Sequence, residues 1–452
     1  MNEYEKTDRS TGHKPTHYNV IQIVAHDLGK ELGCYGRAAC TPNLDALSNS
    51  GVHFKDAVTS STPCSPARGV LMTGMYAHRN GLIGLVNAGW TLPSSVPTIV
   101  DYFNRAGYET VLSGFQHECR RPEELRYRKL LSSPPPDWTG SARPFYYVEN
   151  VVDAALDYLQ GRQEDRDKPF YLNMGLFEAH DPWDREQYNP FTPNPGEIDI
   201  PPFMADVPAL RNEYAGFLGG VGYMDDQLGR FLDWFYDSPL AQNTILLFTT
   251  DHGIAFPRAK TSLYEPNNEV ALIVRPPGGG EGRVIDTPVT SIDLLPTLLD
   301  WCGLPEADGI DGRSYLPLLR GESCQVREHL FFERNFHDNF DPIRAVRSGR
   351  YKYIRNFAER LDAPMPWEGE PCASRDSFWD QHADRKRPEE ELYDLAEDPN
   401  EFKNLAGDPS MRSHLERLRE VLEHWMAESG DFLAGAHGPV FRPAQEVGHV
   451  HF

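Results

Sequence analysis

The 452-residue sequence lacks the long apolar segments of a membrane protein. It contains no run of about 18 apolar residues, so we expect no transmembrane helix and no membrane partner. Residues 1–6 (Met-Asn-Glu-Tyr-Glu-Lys) lack the basic and apolar regions of a signal peptide. From this start we expect a cytoplasmic protein.

Cysteine is also scarce, with seven residues scattered along the chain. A disulfide scaffold would show a dense and even-numbered pattern, which is absent here. We therefore expect most of these residues, apart from Cys64, to be buried free thiols that pack as small hydrophobic side chains.

Positive charge is in short supply, because 44 Lys and Arg stand against 67 Asp and Glu, for a net charge of −23. A nucleic acid partner is not expected, since its phosphates would be repelled overall. A small anion responds to the local field of a cleft and is not excluded. The hydrophobic content of 40% supports a large core, and the length predicts two lobes. A homo-oligomer is compatible with the sequence.

Short β-branched runs alternate with amphipathic segments in the first two thirds of the chain. The strands predicted at 19–24, 107–112, 170–177 and 244–250 are separated by helices, including 148–160 and 213–236. This alternation predicts an α/β fold, with a mostly parallel sheet covered by helices on both faces. Each strand leads into polar residues that we expect to converge at the carboxyl edge of the sheet. These residues are His26-Asp27, His117, His180 and Asp251-His252.

The pattern of polar and apolar residues changes from about residue 306. Residues 344–355 alternate polar and apolar side chains around a Ser-Gly turn, which predicts an antiparallel hairpin. Residues 411–428 predict an amphipathic helix. The predicted organisation is therefore a polar N-terminal tail (1–18), a catalytic α/β domain (19–305) and a smaller C-terminal domain with an antiparallel sheet and a terminal helix (306–452).

Residues 64–74 read Cys-Ser-Pro-Ala-Arg-Gly-Val-Leu-Met-Thr-Gly. This segment resembles the sulfatase motif Cys-x-Pro-x-Arg-x4-Thr-Gly at every fixed position. The resemblance implies an alkaline-phosphatase-like fold and hydrolysis of a small anionic sulfated substrate. It also implies that a maturation enzyme oxidises Cys64 to formylglycine. Arg68 and a helix N-terminus near the thiol would both favour an anion there. A core cysteine at a helix start is the less favoured interpretation.

The resemblance to sulfatases also implies one divalent metal ion. Residues 24–29 (Val-Ala-His-Asp-Leu-Gly) and 249–253 (Thr-Thr-Asp-His-Gly) stand where the family carries its two metal-binding pairs. Two imidazoles here replace oxygen ligands, and Mn²⁺, Fe²⁺ or Zn²⁺ accepts imidazole more readily than the Ca²⁺ usual in the family. Histidines with ordinary hydrogen bonds are the alternative. The implied ligands are His26, Asp27, Cys64, Asp251 and His252.

The family pattern further implies the residues that act on the sulfate. Arg68 and Lys260 would neutralise its oxygens, with Arg258 as the alternative to Lys260 because the alignment can slip by two residues. One hydroxyl of the formylglycine hydrate would attack sulfur. His180 would protonate the leaving group, and His117 would accept a proton from the second hydroxyl. Phe115 occupies the place of a family lysine.

Within the family, residues 251–264 and 296–301 are most similar to heparan N-sulfatase (sulfamidase) and its bacterial relatives. Residues 391–405 resemble the C-terminal sulfatase element. By this likeness we expect a sulfated sugar end as substrate, contacted by Arg334 and His337 in a polar cluster that also holds Glu333 and Asn335. A solvated loop is the alternative for this cluster.

Two other functions are compatible with the same residues. A phosphonate monoester or phosphodiester hydrolase of the same superfamily would share the cysteine motif and the Asp-His-Gly sequence. A non-catalytic protein that binds anionic glycans would have no need of the intact motif around Cys64. Rates on an aryl sulfate, N-sulfoglucosamine and a phenylphosphonate ester would separate these functions.

Overall fold

The computed structural model describes residues 18–135, 141–162, 168–337, 339–359 and 386–436. Its largest element is an eight-stranded sheet in the order β10-β2-β9-β8-β1-β7-β5-β6. The strands of this sheet are β1 (Asn19–Ala25), β2 (Val52–Phe54), β5 (Glu109–Gly114), β6 (Lys129–Leu131), β7 (Phe170–Gly175), β8 (Thr244–Thr250), β9 (Leu272–Arg275) and β10 (Arg283–Ile285).

Four neighbouring strands, β8, β1, β7 and β5, run parallel through the middle of this sheet. All seven residues of β1 and all seven of β8 are buried. Because helices cover both faces, these strands are near-continuous apolar runs rather than alternating ones. The central strands therefore end together at one edge of the sheet.

Helices pack on both faces of this sheet and bury two hydrophobic clusters. Helices α6 and α7 contribute to one cluster, and α4 and α9 contribute to the other. The helices of the described chain are α1 (Pro42–Asn49), α2 (Cys64–Thr73), α3 (Ala77–Asn80), α4 (Ile99–Arg105), α5 (Arg143–Tyr146), α6 (Val148–Gly161), α7 (Pro208–Asp237), α8 (Glu265–Asn268), α9 (Leu294–Trp301), α10 (Leu316–Leu319) and α11 (Arg412–Glu428).

A second sheet lies in the C-terminal part, in the order β15-β14-β13-β12-β4. Its antiparallel strands are β12 (His329–Phe336), β13 (Phe340–Ser348), β14 (Tyr351–Asn356) and β15 (Glu390–Asp394). Strand β4 (Ser61–Thr62) joins β12 in parallel although it comes from the N-terminal part of the chain. Strands β3 (Ala57–Val58) and β11 (Val289–Thr290) form a separate pair. Helix α11 packs its apolar side chains against the C-terminal sheet.

The predicted fold class is confirmed, with a mostly parallel sheet between helices and a separate antiparallel sheet towards the C-terminus. The domain boundary at residue 305 stays a prediction. The long helix begins at Pro208, before the predicted residue 213, because Pro208 is well suited to its first turn. Residues 1–17 of the predicted tail lie outside the described residues.

Two expectations drawn from composition can be compared with the described residues. In that part of the chain, no helix is long and apolar enough to cross a membrane. The six described cysteines are free thiols. Cys64, Cys119 and Cys302 are buried, Cys40 is exposed, and Cys34 and Cys324 are intermediate. Apart from Cys64, two of the five described thiols are therefore buried, rather than most of them, and Cys372 lies outside the described residues.

Candidate active site

The candidate site lies where the four central parallel strands end. Strand β1 leads into His26-Asp27, β8 into Asp251-His252, β7 into the loop with His180, and β5 into the loop with His117. Because these strands are neighbours in the sheet, their carboxyl ends bring the four loops together. The structure thus places the predicted polar residues around one point.

Local geometry explains why the two acidic loops have these sequences. Asp27 adopts a left-handed backbone conformation (φ 53°), which Asp tolerates better than most residues. Its backbone N–H and that of His252 both donate to Asp251 Oδ1, at 3.0 and 2.9 Å. A Cβ at position 253 would lie 1.9 Å from the carbonyl oxygen of Pro266, so only glycine fits there.

Cys64 is the first residue of helix α2 and is 1% exposed. Its Sγ lies 3.5 Å from Asp27 Oδ1 and 3.1 Å from His252 Nε2. The first N–H groups of a helix favour negative charge next to them. The side chain at position 64 is therefore held between a helix N-terminus and the two acidic loops.

A group of side chains around Cys64 fits a divalent cation. One potential ligand atom from each of His26, Asp27, Cys64 and Asp251 lies within 4.8 Å of the other three. Both ring nitrogens of His26 are buried without a hydrogen bond. Burial lowers the pKa of His26 well below its ordinary value, which keeps a nitrogen lone pair available. Neutral imidazole and carboxylate are suitable ligands for a transition-metal ion.

His252 touches this group from the other side. Its Nε2 lies 3.0 Å from Asp27 Oδ1, and its Nδ1 lies 3.0 Å from the carbonyl oxygen of Gly253. A carbonyl only accepts, so Nδ1 is the donor of that contact, and Nε2 is the ring nitrogen that faces Asp27 and Cys64. This arrangement resembles that of metal-binding histidines, whose second nitrogen is held by a backbone carbonyl.

Two cations compensate the two carboxylates. Lys260 Nζ lies 2.8 Å from Asp27 Oδ2, and Arg68 Nε lies 3.0 Å from Asp251 Oδ2. Burial alone would raise the pKa of Asp27, but Lys260 and the nearby histidines outweigh it and hold this pKa well below its usual range. Asp27 is therefore ionised, and its site can bind further positive charge.

His180 and His117 complete the ring of polar groups. His180 Nε2 lies 3.6 Å from Asp27 Oδ2, and its Nδ1 lies 2.8 Å from Asp181 Oδ1. Burial would lower the pKa of His180, but Asp27, followed by Asp181, outweighs it and raises the pKa. His117 is half-buried and approaches His26 and Cys64, with one potential ligand atom of each within 4.8 Å of the others.

Glu178 is a residue of this site that sequence reasoning missed. Its carbonyl accepts from the backbone N–H of His26, and the next residue's N–H donates to the carbonyl of His26. Its buried carboxylate accepts from Arg185 at 2.8 Å, and burial raises its pKa to about 7. The sequence around it carried a signal only for the histidine two positions later, because a positioning contact has no motif of its own.

The three residues predicted to contact substrate are placed differently. The guanidinium of Arg258 donates to the carbonyls of Asn400 and Glu401, so it links the loop after β8 to the C-terminal part. Arg334 is 4% exposed and pairs with Asp341 at 2.6 Å, and His337 is 1% exposed. Substrate contact by these three residues stays a prediction.

The neighbourhood of Arg334 also differs from the solvated loop considered as the alternative. Glu333, Arg334 and Asn335 are buried residues of strand β12. The mixture of charges reflects pairing within the C-terminal sheet rather than exposure to water. Asp338, which follows His337, lies outside the described residues.

Comparisons with known proteins give matches over most of the chain. A family model described as Sulfatase matches residues 18–304, and one described as N-sulphoglucosamine sulphohydrolase, C-terminal, matches residues 253–365. Among curated proteins, the chain is 29% identical to human N-sulphoglucosamine sulphohydrolase over 466 residues, which covers 91% of this chain and 90% of that protein.

Solved structures share the fold. A protein solved in complex with its substrate D-glucosamine-2-N,6-O-disulfate aligns with a TM-score of 0.71 at 18% identity, over 92% of this chain and 99% of that one. A phosphonate monoester hydrolase from Silicibacter pomeroyi aligns with a TM-score of 0.70 at 22% identity, over 92% and 97% of the two chains.

Proposed function

This chain belongs to the sulfatase family, and from that premise we propose that it hydrolyses a sulfate ester or N-sulfate of a sugar, using formylglycine made from Cys64 beside a divalent metal ion. The family match covers more than half of the 452 residues and confirms the resemblance seen in residues 64–74. The relatives support the coarser assignment as a sulfatase enzyme.

The observation that carries the proposal is the position of Cys64. Its side chain begins helix α2 and touches both Asp27 and His252. In the proposed mature enzyme, the hydroxyls of a hydrated formylglycine stand where Sγ stands in this structure. A structural cysteine in the core would need no charged groups around it.

His26, Asp27, Asp251 and His252 would hold the metal ion together with residue 64. The orphaned ring nitrogens of His26 and the two carboxylates support this choice of ligands. When bound, such an ion supplies a Lewis acid that makes a hydroxyl nucleophilic at neutral pH and polarises an oxygen of the substrate.

The remaining polar residues act on the substrate itself. Arg68 Nη2 is buried and makes no hydrogen bond, so it is free to donate to an oxygen of the transferred group. Lys260 lies beside Asp27 and would neutralise charge that develops in the transition state. His180 would donate a proton to the leaving oxygen or nitrogen, and His117 would accept one from residue 64.

The proposed substrate class is a sulfated saccharide. The human relative is named N-sulphoglucosamine sulphohydrolase, and one structural neighbour was solved with a disulfated glucosamine. The match of residues 253–365 to the C-terminal model of the same enzyme favours a sugar N-sulfate. The phosphonate monoester hydrolase among the structural neighbours favours a second candidate, a phosphonate monoester or phosphodiester hydrolase.

A comparison of rates separates the two candidates. We would measure kcat/KM for N-sulfoglucosamine, glucosamine 6-sulfate, an aryl sulfate and a phenylphosphonate monoester, on protein whose Cys64 peptide shows by mass that formylglycine has formed. Preference for a sulfated sugar supports the proposal. If the phosphonate ester is the best substrate by more than tenfold, the second candidate replaces it.

Metal removal tests the proposed ligands. After chelation, we expect Mn²⁺ or another transition metal to restore activity at least as well as Ca²⁺, because two of the proposed ligands are imidazoles. Elemental analysis of freshly purified protein and of His26→Ala would show whether His26 is needed for binding. Full restoration by Ca²⁺, with no response to Mn²⁺, would contradict the proposal.

A further inference from the structure

One side of the candidate site is aromatic rather than charged. Phe115 follows strand β5 and Phe177 follows β7, whereas Lys260 lies in the loop after β8. The ring centroid of Phe115 lies 5.6 Å from that of Tyr146 and 6.1 Å from that of Phe177. We call these three residues the aromatic wall.

Phe115 is the member of the aromatic wall that touches the charged groups. Its ring stacks on His26 at 4.9 Å with an angle of 24° between the planes. The guanidinium carbon of Arg68 lies 4.8 Å from the centre of the same ring. Position 115 therefore lies beside Arg68, whose Nη2 is available to a bound anion.

The two main cationic side chains of the site are already paired with carboxylates. Arg68 pairs with Asp251, and Lys260 pairs with Asp27. Glu118 is buried nearby, and burial raises its pKa although Arg68 opposes that shift. Arg143 lies 5.3 Å from the Phe177 ring, but it is exposed, so solvent and salt screen its charge.

We propose that Phe115 makes this site selective for singly charged tetrahedral anions over doubly charged ones. The inference rests on the proposed function and deepens it. A sulfate monoester or an N-sulfate carries one negative charge, whereas a phosphate monoester carries close to two above its second pKa of about 6. The face of an aromatic ring is electron-rich and gives a second negative charge no counter-ion.

This selectivity is one of charge rather than of the central atom. Phosphonate monoesters and phosphodiesters carry a single charge, so Phe115 does not exclude them. A cation at position 115 would lie beside the Arg68 guanidinium, and one extra unit of charge changes anion binding strongly in a buried site. Phe115 is in this sense a specificity-determining residue of the proposed reaction.

The test compares Phe115→Lys with Phe115→Met, whose side chains have similar length and differ in charge. At pH 8 we would measure kcat/KM for 4-nitrophenyl sulfate, 4-nitrophenyl phosphate and 4-nitrophenyl phenylphosphonate, which share one leaving group. Ratios of rates cancel differences in the active fraction. We expect Phe115→Lys to raise the phosphate-to-sulfate ratio at least about tenfold, and Phe115→Met to change it less than twofold.

The phosphonate monoester provides the internal control. Because it carries one charge, its ratio to the sulfate should change less than threefold in Phe115→Lys. If Phe115→Lys and Phe115→Met change the phosphate-to-sulfate ratio equally, the residue acts through shape and the inference fails. An equally large rise in the phosphonate-to-sulfate ratio in Phe115→Lys would also overturn the inference.

Equilibrium binding keeps the inference testable in a slow variant. Inhibition or direct-binding constants for phenylphosphonate, a dianion at pH 8, and benzenesulfonate, a monoanion, should show the same shift in ratio. If the protein without substitutions, with Cys64 converted to formylglycine, hydrolyses no sulfate ester or N-sulfate, the proposed function fails. In that case the two binding constants still report separately whether Phe115 discriminates by charge.

Discussion

Two buried arginines show how the edge of the parallel sheet that carries the candidate site differs from the C-terminal sheet. Arg344 in β13 is 0% exposed, and all three of its guanidinium nitrogens donate, to Asp431, Asn335 and backbone carbonyls. Arg68 in α2 is 3% exposed, donates from Nε to Asp251, and leaves Nη2 without a hydrogen bond.

The difference teaches where to look for a ligand. A buried donor without an acceptor costs free energy, and natural proteins rarely keep one unless a bound partner completes it. The guanidinium of Arg344 is fully hydrogen-bonded and links β13 to β12 and to Asp431. The cluster around Arg68 and His26 is incomplete, as expected of groups that meet a metal ion and an anion.

The largest effect is expected when the side chain of Cys64 is removed from the incomplete cluster. Cys64→Ala should lower kcat/KM by a factor on the order of 10⁴–10⁶, the range seen for loss of a nucleophile, while the protein still folds. Cys302→Ala, at another buried cysteine, is the matched control and should keep its activity. Activity above a few per cent in Cys64→Ala would contradict the formylglycine proposal.

A crossed pair of arginine variants tests the two clusters directly. Arg68→Lys should lower kcat by about 10²–10³-fold, because the planar donor beside the substrate is lost, with little change in the free energy of unfolding. Arg344→Met should lower that free energy by about 3–5 kcal/mol, because Asp431 is left buried without its partner. Its kcat/KM per folded molecule should stay unchanged.

Chemical denaturation and steady-state kinetics on the same two preparations check this pair. If both variants lowered stability and activity together, the proposed difference between the Arg68 cluster and the Arg344 cluster would be contradicted.

The role of His180 is tested through the leaving group. A proton donor matters little for a nitrophenolate, which leaves without protonation, and much for a sugar alcohol or amine. His180→Gln should therefore lower kcat/KM on a sugar sulfate by about 10²–10³-fold, and on 4-nitrophenyl sulfate by much less. Equal losses on both substrates would show that His180 only maintains the structure of the site.

A smaller effect is expected at Glu31, a buried acid that belongs to neither cluster. Burial raises its pKa to about 7 from 4.5, although Arg37 and a hydrogen bond from Tyr214 oppose the shift. Because its folded-state pKa lies above the unfolded value, the unfolded state loses its proton first. The protein should then lose stability as pH rises from about 4.5 to about 7.

Glu31→Gln should remove this part of the pH dependence. The stability difference between pH 5 and pH 8 should shrink by about 1–3 kcal/mol relative to the unmodified chain. Urea unfolding at the two pH values measures it, with the exposed Glu322→Gln as control. An unchanged pH dependence in Glu31→Gln would show that this carboxyl is not buried as described.

The parallel sheet and the convergence of four loops were predictable from sequence because local patterns determine them. Buried strands such as residues 244–250 consist of apolar residues and threonine, and the polar residues stand directly after them. The prediction of Arg258 and Arg334 as substrate contacts rested on position along the chain. Their partners, Asn400, Glu401 and Asp341, are chosen by tertiary packing, which leaves no periodic signal.

The contacts of the aromatic wall could not be predicted from the sequence either. Sequence comparison identified Phe115 as a departure from the family pattern, but its stacking on His26 and Arg68 depends on three separate elements meeting. Glu178 carried no signal at all, since its contact with His26 is made by the backbone. Positioning contacts of this kind become visible only when the fold is known.

The pairing of β4 with β12 has a consequence for the timing of the proposed conversion of Cys64 to formylglycine. Ser61 and Glu333 are hydrogen-bonded although 272 residues separate them. At about 5–20 residues per second, a ribosome needs roughly 15–55 s to make that stretch. During this interval residues 64–74 cannot acquire their final packing, and an enzyme can reach Cys64. In the folded chain that cysteine is enclosed, so adding the maturation enzyme to finished, unconverted protein should leave the mass of the Cys64 peptide unchanged; conversion of the finished protein would contradict this order of events.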